Sequence, residues 1–116
     1  DFMNKSSKAI ITALAILCLT FIITGCGQKK ADYSAKTAES ALNAGKDIEG
    51  KTVKFKVQKL EPNSAFGYNM ETGKHLNFVS DNNPKVKKGD TVFLKVKKVK
   101  SVLGSYIITY TNLSKQ

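Results

Sequence analysis

Arginine is missing from this 116-residue sequence: its nineteen basic residues are all lysine, set against nine acidic ones for a formal net charge of +10. Specific recognition of phosphates and base edges draws on the planar, bidentate guanidinium, whereas lysine is a mobile point charge. The absence turns the reading away from nucleic acid, and lysine without arginine also fits AT-rich codon usage. Histidine occurs once, at His75, and cysteine twice, at Cys18 and Cys26. With no Cys, Asp or second His at ligand spacing from His75, zinc has no support. The carboxylates from Asp32 to Asp90 are scattered, and no two fall at a spacing that sets them on one face. A matched acid and base, or an activated nucleophile, is therefore lacking, and neither an enzyme nor a cofactor is expected. The length allows one small domain plus a targeting segment and no second core.

What the chain does have begins with a secretory pattern. Met3 is the expected initiator, Lys5 and Lys8 form a positive n-region, and residues 9–24 (AIITALAILCLTFIIT) are an uncharged run of sixteen. As a helix that run spans about 24 Å, short of the ~30 Å hydrocarbon core, so it suits a cleaved signal better than a permanent transmembrane span.

The run ends in Ile23-Thr24-Gly25-Cys26, which resembles the lipobox of bacterial prolipoproteins. The resemblance implies that Cys26 takes a diacylglyceryl group and that cleavage before it removes residues 1–25. Ile23, Thr24 and Gly25 would be the lipobox residues and Cys26 the lipidation site. Cys18 would leave with the signal, and a thioether at Cys26 forms neither a disulfide nor a nucleophilic thiolate. Two acyl chains on one cysteine give stable anchoring, which places the mature domain at the outer face of the bacterial cytoplasmic membrane.

Residues 26–50, rich in Lys, Ala, Ser, Gly and Asn, read as a flexible tether with at most a weak helix over 31–44. From residue 51 the period changes to two. Val53, Phe55 and Val57 alternate with Lys54, Lys56 and Gln58, the pattern of a half-buried strand, and the slip at Lys59-Leu60 marks a bulge or bend. Residues 65–71 and 75–80 read as strands joined by the glycine-containing turn Thr72-Gly73-Lys74. Lys88-Gly89-Asp90 launches a fourth strand whose register shifts at Lys97-Lys98, and Gly104-Ser105 turns the chain into a fifth. Five short strands, one sharply bent, predict an all-β fold closed into a small barrel, with residues 51–116 as its domain.

The KTVKFKVQKLEP opening, the VKKGDTVFLKVKKV run and the closing GSYIITYTNL resemble the oligonucleotide/oligosaccharide-binding (OB) fold, and in particular the small OB-fold lipoproteins of Gram-positive bacteria. The resemblance implies a five-stranded Greek-key barrel whose two middle strands present a ligand-binding face. Tyr68, Asn69, His75 and Asn77 are the candidate binding residues there. Lys54, Lys56, Lys95 and Lys97, with Lys98 and Lys100, lie on the first and fourth strands, which neighbour each other in an OB barrel. They either form a basic stripe or serve only solubility and edge protection.

The function expected on these grounds is a monomeric, membrane-anchored, non-enzymatic binding module for a protein partner or an anionic envelope polymer. The alternatives are an exclusion or immunity lipoprotein of a mobile element and a peptide message released from Leu19–Gly25. Nucleic acid is disfavoured by the extracytoplasmic setting.

Overall fold

The computed structural model of the protein describes residues 30–116. The segment expected to be a signal, the expected lipobox and Cys26 lie outside those residues. Residues Ala31–Gln116 make one compact unit with its own core.

Chain order is β1 (Tyr33–Ser34), α1 (Ala35–Asn43), β2 (Thr52–Lys56), β3 (Lys59–Ser64), β4 (Gly67–Thr72), β5 (Leu76–Ser80), β6 (Thr91–Val102) and β7 (Ser105–Lys115). The strands make one sheet in the order β1-β2-β6-β7-β5-β4-β3. Pairing is antiparallel except for β1 with β2 and β5 with β7.

The fold is mostly β, as the period-two pattern requires, but it has seven strands where five were expected. One extra strand arises because the first expected strand is interrupted at Val57-Gln58 and becomes β2 and β3; the other is β1, which precedes the expected domain.

Alternation sets the core. Val53, Phe55 and Val57 are buried with Val92, Leu94 and Val96, and Met70, Leu76, Phe78 and Ile108 complete the same cluster. Phe55 and Phe78 stack with ring centroids 4.4 Å apart, an offset arrangement that adds to simple area burial.

The segment read as a flexible tether is folded over its described part. At the start of α1 the Ser34 hydroxyl accepts the Thr37 N–H at 3.2 Å, and the Thr37 hydroxyl oxygen accepts the Ser34 N–H at 2.8 Å, a reciprocal capping box. At its end Gly45 N–H donates to Leu42 O and Lys46 N–H to Ala41 O, the paired bonds of a Schellman motif. Ala38 and Ala41 are buried, and Ile48, fully buried after the helix, joins the core cluster. Alanine carries little hydrophobic signal but brings a helix backbone close to a neighbouring element. That is why so small an apolar face packs. Among the described residues, no helix is long and apolar enough to cross a membrane.

Candidate functional site

The strand registers assemble the outward face of the sheet into two rows. In the first, Lys98 on β6 stands opposite Thr109 on β7, Thr109 beside Val79 on β5, Val79 opposite Asn69 on β4, and Asn69 opposite Glu61 on β3. In the second, Lys100, Ile107, Asn77, Glu71 and Lys59 follow one another across the same five strands. The face is basic at the β6 side and carries Glu61, Glu71 and Lys59 toward β3 and β4.

A cavity of about 370 Å³ lies on this face between the β6–β7 pair and the β3–β4 turn. Phe66, Val79 and Ile107 give it apolar walls, Lys98 and Lys100 bring two ammonium groups to it, and Asp81 brings a carboxylate. Val79 is only 4% exposed although it does not belong to the main core cluster, so it is buried on the cavity side. Phe66, at the β3–β4 turn, is 44% exposed. Gly67 closes that turn against β5: a Cβ there would lie 2.6 Å from the Ser80 carbonyl oxygen.

Directly opposite Val79, Asn69 is nearly buried. Its Nδ2 donates to Asn77 Oδ1 at 3.0 Å, and its Oδ1 is the one buried side-chain polar atom without a hydrogen-bond partner among the described residues. A buried acceptor left unmade costs on the order of 1–3 kcal/mol. Asn77 Nδ2 is held by the His75 and Tyr106 carbonyls at 3.3 and 3.2 Å.

The four expected binding residues thus part company. Asn69 and Asn77 meet on the outward face, and His75 abuts them through its carbonyl. Tyr68 shares the opposite, core-facing side of β4 with Met70. His75 also has a structural partner, since its Nδ1 lies 3.0 Å from Glu39 Oε2. Among the lysines, the β2–β6 register puts Lys54 and Lys56 on the side of Lys95, with Lys54 directly opposite Phe93. At Lys97 the β6 register shifts, and beyond that shift Lys98 and Lys100 reach the cavity. Phe66, Val79 and Asp81 were not singled out from the sequence. Their place depends on the parallel pairing of β5 with β7, which no local pattern announces.

A second groove, of about 400 Å³, runs between α1 and the β4–β5 turn, lined mostly by polar and charged side chains. Its buried carboxylate, Glu39, is already committed to the Lys74 N–H and to His75. The first cavity offers open hydrogen-bonding and apolar capacity together, the usual composition of a ligand site. No three His, Cys, Asp or Glu side chains come together among the described residues as a metal-ligand set.

Comparison with known proteins finds no family model that matches this chain, and no curated protein or solved structure that matches it.

Proposed function

We propose that the chain is an extracytoplasmic lipoprotein, anchored through a diacylglyceryl group on Cys26, whose folded unit is a non-enzymatic OB-type module that binds a protein partner or an anionic envelope polymer. The observation that carries the binding reading is the cavity on the outward face, where Phe66, Val79 and Ile107 adjoin Lys98 and Lys100. Apolar walls supply contact area, and the ammonium groups supply attraction to anionic groups.

The OB reading is supported by the passage from β2 to β3. Val57 exchanges hydrogen bonds with Gly89 and Asp90 beside β6, and the next residue, Gln58, donates to Glu71 on β4 at 2.9 Å. One continuous stretch of chain therefore bonds on both sides, first toward β6 and then toward β4. The sheet, in the order β1-β2-β6-β7-β5-β4-β3, is not closed, but β2 and β3 read as one bent strand would bring its two sides toward each other. A barrel built that way would leave few edges to protect, which suits a unit this small.

Two measurements test the proposal. Cys26→Ala should abolish lipid labelling of the chain in its own cell and leave unprocessed precursor; a mutant still lipidated and cleaved overturns the anchor. For the cavity, the full chain is titrated with poly(glycerol phosphate) and with purified surface proteins of the same cell. Saturable binding to one of them should weaken about tenfold or more in a Phe66→Ser, Lys98→Gln, Lys100→Gln variant. Absence of saturable binding, or equal binding by the variant, overturns it.

A further inference from the structure

We propose that the β6–β7 turn is a membrane-contacting tip, which inserts Leu103 into an anionic bilayer while neighbouring lysines engage the lipid headgroups. The inference rests on the anchored reading above, which brings the domain to a bilayer, and it concerns the β6–β7 turn beyond the cavity, with which it shares Lys100.

Val102 pairs with Ser105, so Leu103 and Gly104 are the two residues of a tight hairpin turn. Both have positive φ, 50° and 83°. A hairpin turn of that kind is best satisfied by Asn-Gly, and an L side chain in the left-handed region meets its own backbone. Leucine therefore sits where its backbone is disfavoured, and it is also fully exposed at 101%. The other exposed large hydrophobic group, Phe66, has the cavity to line. Leu103 has no such role within the described residues.

The charge around the tip is positive. Lys100 lies three residues before Leu103 on β6, and residues 101–116 contain no acidic residue. The β4–β5 turn lies at the same end of the sheet: the Tyr106 N–H donates to His75 O at 2.9 Å, and Ser105 shares a groove with Lys59, Lys74 and His75. Two carboxylates face this end, and both are engaged. Glu71 lies 3.9 Å from Lys59, and Glu39 is held by the Lys74 N–H and His75. Lys74 and Lys100, both exposed, take no part in the three ion pairs found among the described residues.

One leucine within a cationic rim is a small anchor for a protein partner, where affinity comes from a cluster of buried aromatic and arginine side chains. For a bilayer it is enough. The acyl chains already hold the domain at the surface, so the tip binds at a high effective concentration and only has to fix orientation.

The sequence contains no tryptophan, so Leu103→Trp supplies a single fluorophore at the tip. The full chain carrying it is reconstituted into vesicles of phosphatidylcholine alone or mixed with phosphatidylglycerol. A control chain carries Gln116→Trp at the far end of the ribbon, where Gln116 N–H bonds to Thr91 O. The tip indole should shift its emission to shorter wavelength and be quenched by brominated acyl chains in the anionic vesicles, with the effect lost at high salt. The control indole should remain in water. Adding Lys74→Gln should lower the ratio of inserted to free tip about fivefold. Water-like emission from the tip in anionic vesicles, or equal quenching of tip and control, overturns the proposal. So does a shift that needs added surface proteins rather than lipid. Lipid labelling of Cys26 and binding at the cavity are measured separately, so a wet tip on a labelled, ligand-binding chain refutes the tip alone.

Discussion

Glu39 on α1 lies 3.0 Å from His75 at the β4–β5 turn, Oε2 to Nδ1, while its Oε1 accepts the Lys74 N–H at 2.8 Å. The contact joins residues 36 apart in sequence and ties the helix to the sheet through one carboxylate. The fit is close: a Cβ added to Gly73 would run into Glu39 Oε1. His75, expected from the sequence as a binding residue, thus helps hold α1 in place.

Removing that carboxylate should be costly, because Glu39 is almost buried and the Lys74 N–H would lose its acceptor. Glu39→Ala is expected to destabilise the chain by about 1–3 kcal/mol in urea unfolding. His75→Ala should cost less than about 1 kcal/mol, since the ring is 55% exposed and water replaces it. Equal stability of Glu39→Ala and the native chain would show that α1 is held by its apolar face alone.

Ile48 separates a tether from a folded segment. It is fully buried among core residues, so Ile48→Ala should cost about 2–5 kcal/mol. A true tether would lose nothing measurable by the same substitution. Deletion of residues 31–50 should likewise leave a domain that no longer unfolds cooperatively.

At Gly67 the β3–β4 turn passes against the Ser80 carbonyl with φ at 92°. Gly67→Ala adds both a clash and backbone strain, expected to lower stability by about 1–3 kcal/mol. The turn carries Phe66, so the same change should also weaken binding at the cavity. Unaltered unfolding and binding would mean that the turn can shift freely.

Two carboxylates give the fold an acid limit. Asp32 Oδ2 accepts the Thr52 N–H at 3.0 Å and the Thr52 hydroxyl at 3.1 Å, and these bonds hold its pKa below the usual carboxylate range. Asp90 is lowered first by the Lys87 N–H and then by Lys115, whose Nζ is 3.1 Å away. A carboxyl with a depressed folded pKa stabilises the fold above its unfolded pKa, near 4. That contribution is lost as pH falls through the folded value. The native chain should therefore keep a constant melting temperature from neutral pH to about 5 and lose part of it below about 4. Asp32→Asn and Asp90→Asn should melt earlier than the native chain at neutral pH, with the gap closing in acid. A gap that persists unchanged at pH 2 would trace the loss to something other than ionisation.

Much of the sheet is readable from alternation. Val53, Phe55 and Val57, and again Val92, Leu94 and Val96, point inward because successive strand side chains face opposite sides. The register slip at Lys97-Lys98 is readable for the same reason, as two lysines stand where one would fit. The helix was harder, since Ala38 and Ala41 earn their place by small size, and Glu39 is buried only because a turn 36 residues away supplies its partners. The binding face was harder still. Asn69 and Asn77, expected as candidate binding residues along with Tyr68 and His75, meet side by side, whereas Tyr68, one position before Asn69, turns to the core side.

The sequence alone determined the features that depend on linear order and local period: the basic and then apolar succession that ends at Cys26, the glycine turns, and which strand residues face the core. Only the tertiary structure decided which outward residues meet. The parallel pairing of β5 with β7 sets Val79 beside Thr109, and the antiparallel pairing of β7 with β6 sets Lys98 and Lys100 on the same face. Local period fixes the side a residue faces, whereas its neighbours across the sheet are chosen by long-range pairing, whose energy is shared among strands distant in sequence.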